Sequence, residues 1–493
     1  MRLAGLDRPP ATILAVFIAA QLVLWSLLPS LVQPNAPLDV IEGLTWGRDL
    51  QLGYYKHPPL QAVLLDGTEL LLGKSSFGFF FLSQLAVALA YVLIWKLARE
   101  FVDPGRALLA VMLESGIVYF SFASVEFNPN VLQLPLWAGT ILYVWRGIER
   151  GRLLDWLLAG FFAALAMSAK YSSGMLLAAL ALFIVATPTA RARLGTRSFW
   201  LGVGLLAVLL LPNFSWLVLH DFQPLHYATA RAGRSDLAPV KFLGAQLLDH
   251  AGFFILLLLA AYPGLYRRAK AKETGVTLRG RAFLLTAGLG PLALSLVASD
   301  TVGLGLRDMW GAPMFDLSGL IAVVFLVPRR PAFTLRPFVA GAFALLLLAS
   351  SGFAIVGLLS PLFASKVPRG VFPGPAVAEQ LTQLWRERTG RPLGFVIGST
   401  WIGGNVAFYS SDRPLVLIDG DFSLAPWVDR AALAREGALL VWPADPRTGT
   451  EAAISPPPGL QPNGAQGMLT VPARSVLGKP QISVGWQILT GAP

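Results

Sequence analysis

Eleven apolar segments alternate with polar connections along the chain, at about 11–32, 77–97, 107–122, 131–145, 153–169, 173–186, 199–219, 242–265, 282–299, 314–327 and 338–359. Apolar runs of roughly 17 to 25 residues match the thickness of a hydrocarbon core and read as transmembrane helices. The pattern predicts a polytopic α-helical membrane protein with about eleven spans. Arg2 and Arg8 precede the first run, which is too long for a signal-peptide core and lacks a small-residue cleavage site, so it is expected to be a retained helix. Long polar connections fall at about 33–76, 221–241 and 300–313. Within the first, 40–52 and 60–72 read as amphipathic helices lying at the membrane surface. After a Pro- and Gly-rich stretch at 360–375 the pattern changes. Residues 376–389 have helical periodicity, whereas 393–398, 415–419 and 438–442 are short apolar runs typical of buried strands. The expected organisation is a transmembrane domain over 1–362, with the external loop 33–76, and a small α/β domain over 376–493. No internal repeat is visible.

Composition sharpens this picture. Of 493 residues, 55% are hydrophobic and 14% charged, with a mean hydropathy of +0.61; a soluble chain carries about 25% charged residues. The net charge of +11 invites a nucleic-acid partner, but the basic residues sit between apolar segments, where they set topology. Arg2, Arg8, Lys96, Arg99, Arg106, Arg146, Arg150, Arg152, Arg191, Arg193 and Arg197 fall on one side. So do Arg267, Arg268, Lys270, Lys272, Arg279, Arg281, Arg329, Arg330 and Arg336. That side is cytoplasmic by the positive-inside rule, which places the N-terminus inside and the C-terminal domain outside. With no cysteine, disulfides and thiolate chemistry are absent.

The polar residues that break this pattern are the candidates for chemistry. Asp39 and Glu42 share one helix face by their three-residue spacing, although a carboxylate in a first helical turn also serves the helix dipole. Tyr54-Tyr55-Lys56-His57-Pro58-Pro59 sets a cation and an imidazole before a rigid double proline; the tyrosines also suit an interfacial belt. Lys170 lies between two apolar runs, where an ionisable group is costly unless it meets a partner or a wet cavity. Snorkelling to the surface is its plain alternative. Arg231, Arg234 and Arg307 are further cations on the outer side. Glu126, Asn128 and Asn130 precede the fourth span and suit either substrate orientation or helix capping. Glu114 lies inside the third span, equally suited to an interior hydrogen bond. The four histidines show no short-spaced ligand pair, and no Walker or dinucleotide fingerprint occurs, so ATP and NAD use is not expected.

The first-loop residues Asp39, Glu42 and Gly53-Tyr-Tyr55-Lys56-His57-Pro-Pro-Leu60 resemble the family 39 branch of the GT-C glycosyltransferase superfamily. That branch groups protein O-mannosyltransferases with bacterial lipid A aminoarabinose and galacturonic acid transferases. The likeness continues through Phe127-Asn128-Pro129-Asn130, Ala169-Lys170-Tyr171, Pro224-Leu225-His226-Tyr227, Trp310-Gly311-Ala312-Pro313 and Tyr409-Ser410-Ser411-Asp412-Arg413-Pro414. The resemblance implies a GT-C bundle in the bacterial inner membrane, a periplasmic active site, a sugar donor on polyprenyl phosphate, and inversion at the anomeric carbon. It makes Asp39 the catalytic acidic residue, with Lys56 and later external cations on the lipid phosphate. One departure is Asn130, where many members carry an Asp; Glu126 or Glu42 is the candidate second carboxylate.

The residue types suit such a reaction. A lipid phosphate leaves without a proton, so the enzyme needs a base for the acceptor hydroxyl and cations for the departing charge. Asp39 fits the base, and Lys56, His57, Lys170, Arg231, Arg234 and Arg307 fit the charge. Tyr54, Tyr55 and Trp310 offer faces for stacking on a sugar or lining a lipid groove, and equally suit an interfacial belt. The expected partners are a polyprenyl-phosphate sugar, a lipid, glycan or protein acceptor, and membrane lipids, with no cofactor required and a divalent ion compatible with a carboxylate pair. A transporter or flippase for a lipid-linked substrate is the alternative; the missing inverted repeat and the lack of mid-membrane charge pairs speak against it.

Overall fold

The computed structural model describes residues 8–231, 238–265, 275–303, 305–327, 335–363, 367–444, 454–478 and 480–491. The protein is a polytopic helical membrane protein, and all eleven predicted apolar segments lie on helices. Five are single helices long and apolar enough to cross a membrane: Pro10–Val32, Ser76–Phe101, Arg197–Leu219, Leu278–Thr301 and Arg336–Phe363. Four others are pairs bent by 51° to 99°, giving up to nine crossings among the described residues if each pair is one span. Leu153–Ala169 is shorter, and Pro129–Arg150 carries charges at its end.

The bends are where hydropathy and geometry part. Two of them meet. The break after Pro104–Glu114 and the break between Ala238–Asp249 and Ala251–Leu265 approach so closely that a Cβ on Gly116 would lie 2.5 Å from the Gly252 carbonyl carbon. The amide of Phe253 donates to the Gly116 carbonyl at 2.9 Å. Backbone groups freed by breaking a helix must be satisfied inside the protein, and here one break satisfies the other.

The chain divides into two compact units, residues 1–26, 56–60 and 81–351, and residues 27–55, 61–80 and 352–493. The first is the helical bundle. Its helices close on small residues: a Cβ on Gly160 of Leu153–Ala169 would stand 2.1 Å from the Gly202 carbonyl oxygen of Arg197–Leu219. Without a hydrophobic drive between helices in lipid, such backbone approach supplies the packing. Several cations assigned to one side by sequence share partners. Glu100 accepts from Arg146 at 2.8 Å and Arg150 at 2.6 Å, and Arg279 reaches Glu149 at 2.5 Å. Arg2, Arg267, Arg268, Lys270, Lys272, Arg329 and Arg330 lie outside the described residues.

The second unit is built on a five-stranded sheet: β1 Phe395–Gly398, β2 Leu415–Ile418, β3 Ala438–Ala444, β4 Leu460–Pro472 and β5 Gln481–Gly491, in the order β2-β1-β3-β5-β4. The first three are parallel and the last two join antiparallel. All four β1 residues are buried, as a parallel strand covered on both faces requires. Alternate residues serve opposite faces: Ile397 and Leu440 join one apolar cluster with Trp46 and Tyr54, while Val396, Leu439 and Val441 join another with Trp385 and Trp486. The first three strands fall within two residues of expectation; β4 and β5 were not expected.

The first-loop helices belong to this unit. Leu60–Leu72 appears with its predicted bounds, but the other runs over Leu38–Gly47 and stops five residues before the expected end. Residues Val40 through Gly47 are all buried, so this helix is a core element with no solvent face beyond its first turn. It packs against Thr400–Tyr409, where Gly404 leaves room for Ile41 and Thr45.

Candidate functional site

Lys170 follows the last residue of Leu153–Ala169, with its own backbone extended. A cation at a helix C-terminus meets carbonyl oxygens and the negative end of the dipole. Its side chain does not snorkel: the residue is 8% exposed. Nζ donates to Asn130 Oδ1 at 2.6 Å and lies 5.4 Å from the centroid of the Trp310 ring. Asn130 is placed there by a helix start. Asn128 caps Pro129–Arg150 by accepting from the amides of Asn130 and Val131, and Pro129 takes the first helical position. Asn128 is thus the cap and Asn130 the ligand of the cation.

Lys56 and His57 belong to the same unit. Burial pushes the His57 imidazole well below its usual pKa, and the charges of Lys56 and Lys170 push it in the same direction. Two lysines therefore act on one imidazole, an arrangement that an incoming phosphate anion stabilises.

Trp310 sits in the short helix Asp308–Phe315, whose start is fixed by residues that sequence reasoning passed over. Gln246 Nε2 donates to the Asp308 carbonyl at 3.1 Å, and Tyr119 donates to Gln246 Oε1 at 2.8 Å. Gly311 admits the Gln246 amide; a Cβ there would lie 2.0 Å from its Oε1. Gln246 is a polar residue inside an apolar segment, which is the signal that marks it.

Asp39 and Glu42 lie on Leu38–Gly47, in the second unit. Asp39 is half-buried in the first turn and Glu42 is 8% exposed. Gln61 Nε2 donates to the Asp39 carbonyl at 2.9 Å, tying the two first-loop helices together at this residue. Tyr55 packs edge-on against Trp46. Tyr54 is no open platform: it is buried, stacked on Trp46, and its hydroxyl donates to the Trp46 carbonyl while burial raises its pKa to about 12.

The remaining candidates have these surroundings. The Glu126 carbonyl accepts from the Asn128 amide side chain, and Tyr171 donates to Asn213 Oδ1 at 3.3 Å. His226 and Tyr227 lie on Gln223–Arg231, His226 exposed; Arg231 ends that helix, and Arg234 lies outside the described residues. Arg307 is exposed at the start of the Trp310 helix. Glu114 is spent on structure, accepting from the Gly319 amide at 2.8 Å. Among the described residues no three or more His, Cys, Asp or Glu gather into a group able to hold a metal ion.

The chain is similar to several known proteins. Residues 56–216, about a third of the chain, match the model of the family described as dolichyl-phosphate-mannose-protein mannosyltransferase. The match begins at Lys56 and contains Asn130 and Lys170. The lipid A galacturonosyltransferase RgtD of Rhizobium johnstonii is 26% identical over 240 residues, 46% of this chain and 49% of that protein, so this chain spans about half of that relative's length. The lipopolysaccharide core galacturonosyltransferase RgtA of the same organism is 23% identical over 89% of this chain and 88% of its own. The crystal structure of ArnT from Cupriavidus metallidurans bound to undecaprenyl phosphate superposes with a TM-score of 0.57 at 15% identity, covering 96% of this chain and 97% of that one. The chain therefore has the GT-C fold and resembles the ArnT-like and O-mannosyltransferase glycosyltransferases of the membrane.

Proposed function

We propose that the chain transfers a sugar from a polyprenyl phosphate to a hydroxyl of an envelope glycolipid, at the periplasmic face of the bacterial inner membrane and with inversion. Its N-terminus is cytoplasmic and the sheet domain periplasmic, as the distribution of Lys and Arg supports. The observation that carries this reading is the buried Lys170, held by Asn130 beneath Trp310 and acting with Lys56 on His57. The names of the relatives support the lipid acceptor, and the undecaprenyl phosphate in the ArnT structure supports the donor.

In the reaction, the acceptor oxygen bonds to the anomeric carbon as the bond from that carbon to the phosphate oxygen breaks. Asp39 takes the hydroxyl proton, with Glu42 as the neighbouring carboxylate. Lys56, His57 and Lys170 hold the phosphate as its charge grows, with Arg231, Arg234 and Arg307 as the outer cations. Preorganised charge at the leaving group lowers the barrier because it needs no rearrangement at the moment of reaction.

Transfer of radiolabelled sugar from a polyprenyl phosphate carrier in reconstituted vesicles tests this. Asp39→Asn is expected to lower turnover by about 10² to 10⁴, the usual worth of a positioned base, and to leave carrier binding intact. Near-normal transfer by that variant removes Asp39 from the chemistry. Label that crosses the bilayer without forming product assigns the chain to transport instead.

A further inference from the structure

One motif remains unused by this reaction: Tyr409-Ser410-Ser411-Asp412-Arg413-Pro414, the turn between Thr400–Tyr409 and β2. The turn is heavily fixed. Asp412 pairs with Arg386 and accepts from the Leu393 amide at 2.8 Å; Ser410 and Thr382 share a hydrogen bond of 2.8 Å. Tyr409 accepts from the Ala36 amide at 3.0 Å. Arg413 itself is held at a φ of +50°, a left-handed conformation that a residue with a side chain adopts only under constraint. So much fixation around one half-exposed arginine is the support that a binding residue needs.

Arg413 faces a small, partly open cleft in the second unit, lined by Leu38–Gly47, Leu60–Leu72 and Thr400–Tyr409. Leu44, Ala407 and Phe408 form apolar walls, and Arg48, Arg413 and Glu69 line it. Lys74 stands beside it, with Nζ 5.5 Å from the Phe408 centroid and donating to the Ser410 carbonyl. Burial lowers the Lys74 pKa; Glu69 opposes the shift, and Arg413 and Arg48 add to it, so the cations feel one another. Glu69 pairs with Arg413 at 3.0 Å, leaving three cations against one carboxylate. The surplus of two positive charges matches a phosphate monoester, which carries about −1.5 to −2 at neutral pH. Arginine forks suit its oxygens.

We infer that the Arg48–Lys74–Arg413 cleft binds a phosphate on the sugar headgroup of the acceptor glycolipid. This rests on the proposed transfer, in which the donor's phosphate is already assigned to the Lys56 and Lys170 site, leaving the acceptor as the phosphate-bearing partner.

Binding without turnover tests it. Full-length protein in detergent is titrated with a water-soluble disaccharide phosphate, with the same disaccharide lacking phosphate, and with inorganic phosphate. The phosphorylated sugar is expected to bind, and Arg48→Gln with Lys74→Gln to weaken it roughly tenfold or more. Glu69→Gln, which removes the competing carboxylate, is expected to tighten it severalfold, a gain that a misfolded protein does not show. With the Lys56 and Lys170 site filled by excess free polyprenyl phosphate, this binding is expected to persist. Equal binding of the two sugars, or unchanged affinity in the Arg48 and Lys74 variant, overturns the inference. Inorganic phosphate binding as tightly as the sugar phosphate overturns it too, since the cleft then holds any anion. No donor is present, so failed sugar transfer in vesicles sinks the proposed reaction and leaves this result standing.

Discussion

The Lys170 site and the Arg48 cleft both gather positive charge, yet they are built in opposite ways. Lys170 is buried in the helical bundle, donating to the Asn130 amide oxygen and lying over the Trp310 indole. The cleft lies in the sheet unit, where Arg48 is exposed, Arg413 half-exposed, and a carboxylate is already in place. The difference teaches how location sets the strength of a charge. A buried cation interacts through low dielectric and is barely screened, whereas charges open to solvent are weakened by every ion in the buffer. The first arrangement suits a phosphate whose charge grows during a reaction; the second suits recognition of a charge that stays constant.

Three experiments bear on that contrast. Lys170→Met should have the largest effect: truncating one partner of a buried, hydrogen-bonded charge costs about 2–5 kcal/mol, so roughly 30-fold or more in carrier affinity. Competition by free polyprenyl phosphate measures it, and Lys170→Arg should restore little, because a guanidinium fork does not replace a compact ammonium. Unchanged competition would put the buried site on a level with an ordinary surface lysine. Salt should have a middling effect. Raising ionic strength from about 0.1 M to about 1 M shortens the screening length from about 10 Å to about 3 Å. Sugar-phosphate binding at the cleft should then fall several times more than carrier binding, and equal losses would erase the distinction. The smallest effect concerns His57. Its folded pKa lies well below the ordinary 6.5, first through burial and then through Lys56 and Lys170. Between those two values the unfolded chain binds a proton that the folded one does not, so stability is whole above about pH 6.5 and declines as pH falls below it. His57→Gln should flatten this decline in melting midpoints taken between about pH 7.5 and 5.5; an unaltered slope would mean that the His57 pKa is not depressed in the folded protein.

How much of this was legible depended on how local each signal was. The apolar spans and the first three strands were readable because hydropathy and period are properties of a short window. The bends were not, since a hydropathy window has no direction: the segment at 107–122 reads as one run although the chain turns by 93° within it. β4 was hidden by Pro462, Asn463 and Gly464, residues that mark turns in most contexts; an edge strand with an irregular register tolerates them. Thr400–Tyr409 was hidden by Gly403 and Gly404, poor helix formers that are needed for close approach. In the site, the oddity of Lys170 was visible in its apolar surroundings. That Asn130 and Trp310 are among its partners, distant in the chain on either side, is a fact of tertiary packing that a single sequence does not carry.

The contact between Gly160 and Gly202 has a mechanical consequence. With one peptide seated directly on the other and no side chain between them, these two helices have no cushion along which to slide or roll. They behave as a single plank. Movement within the bundle is left to other elements, and a methyl group added at either glycine would act as a wedge between the two helices.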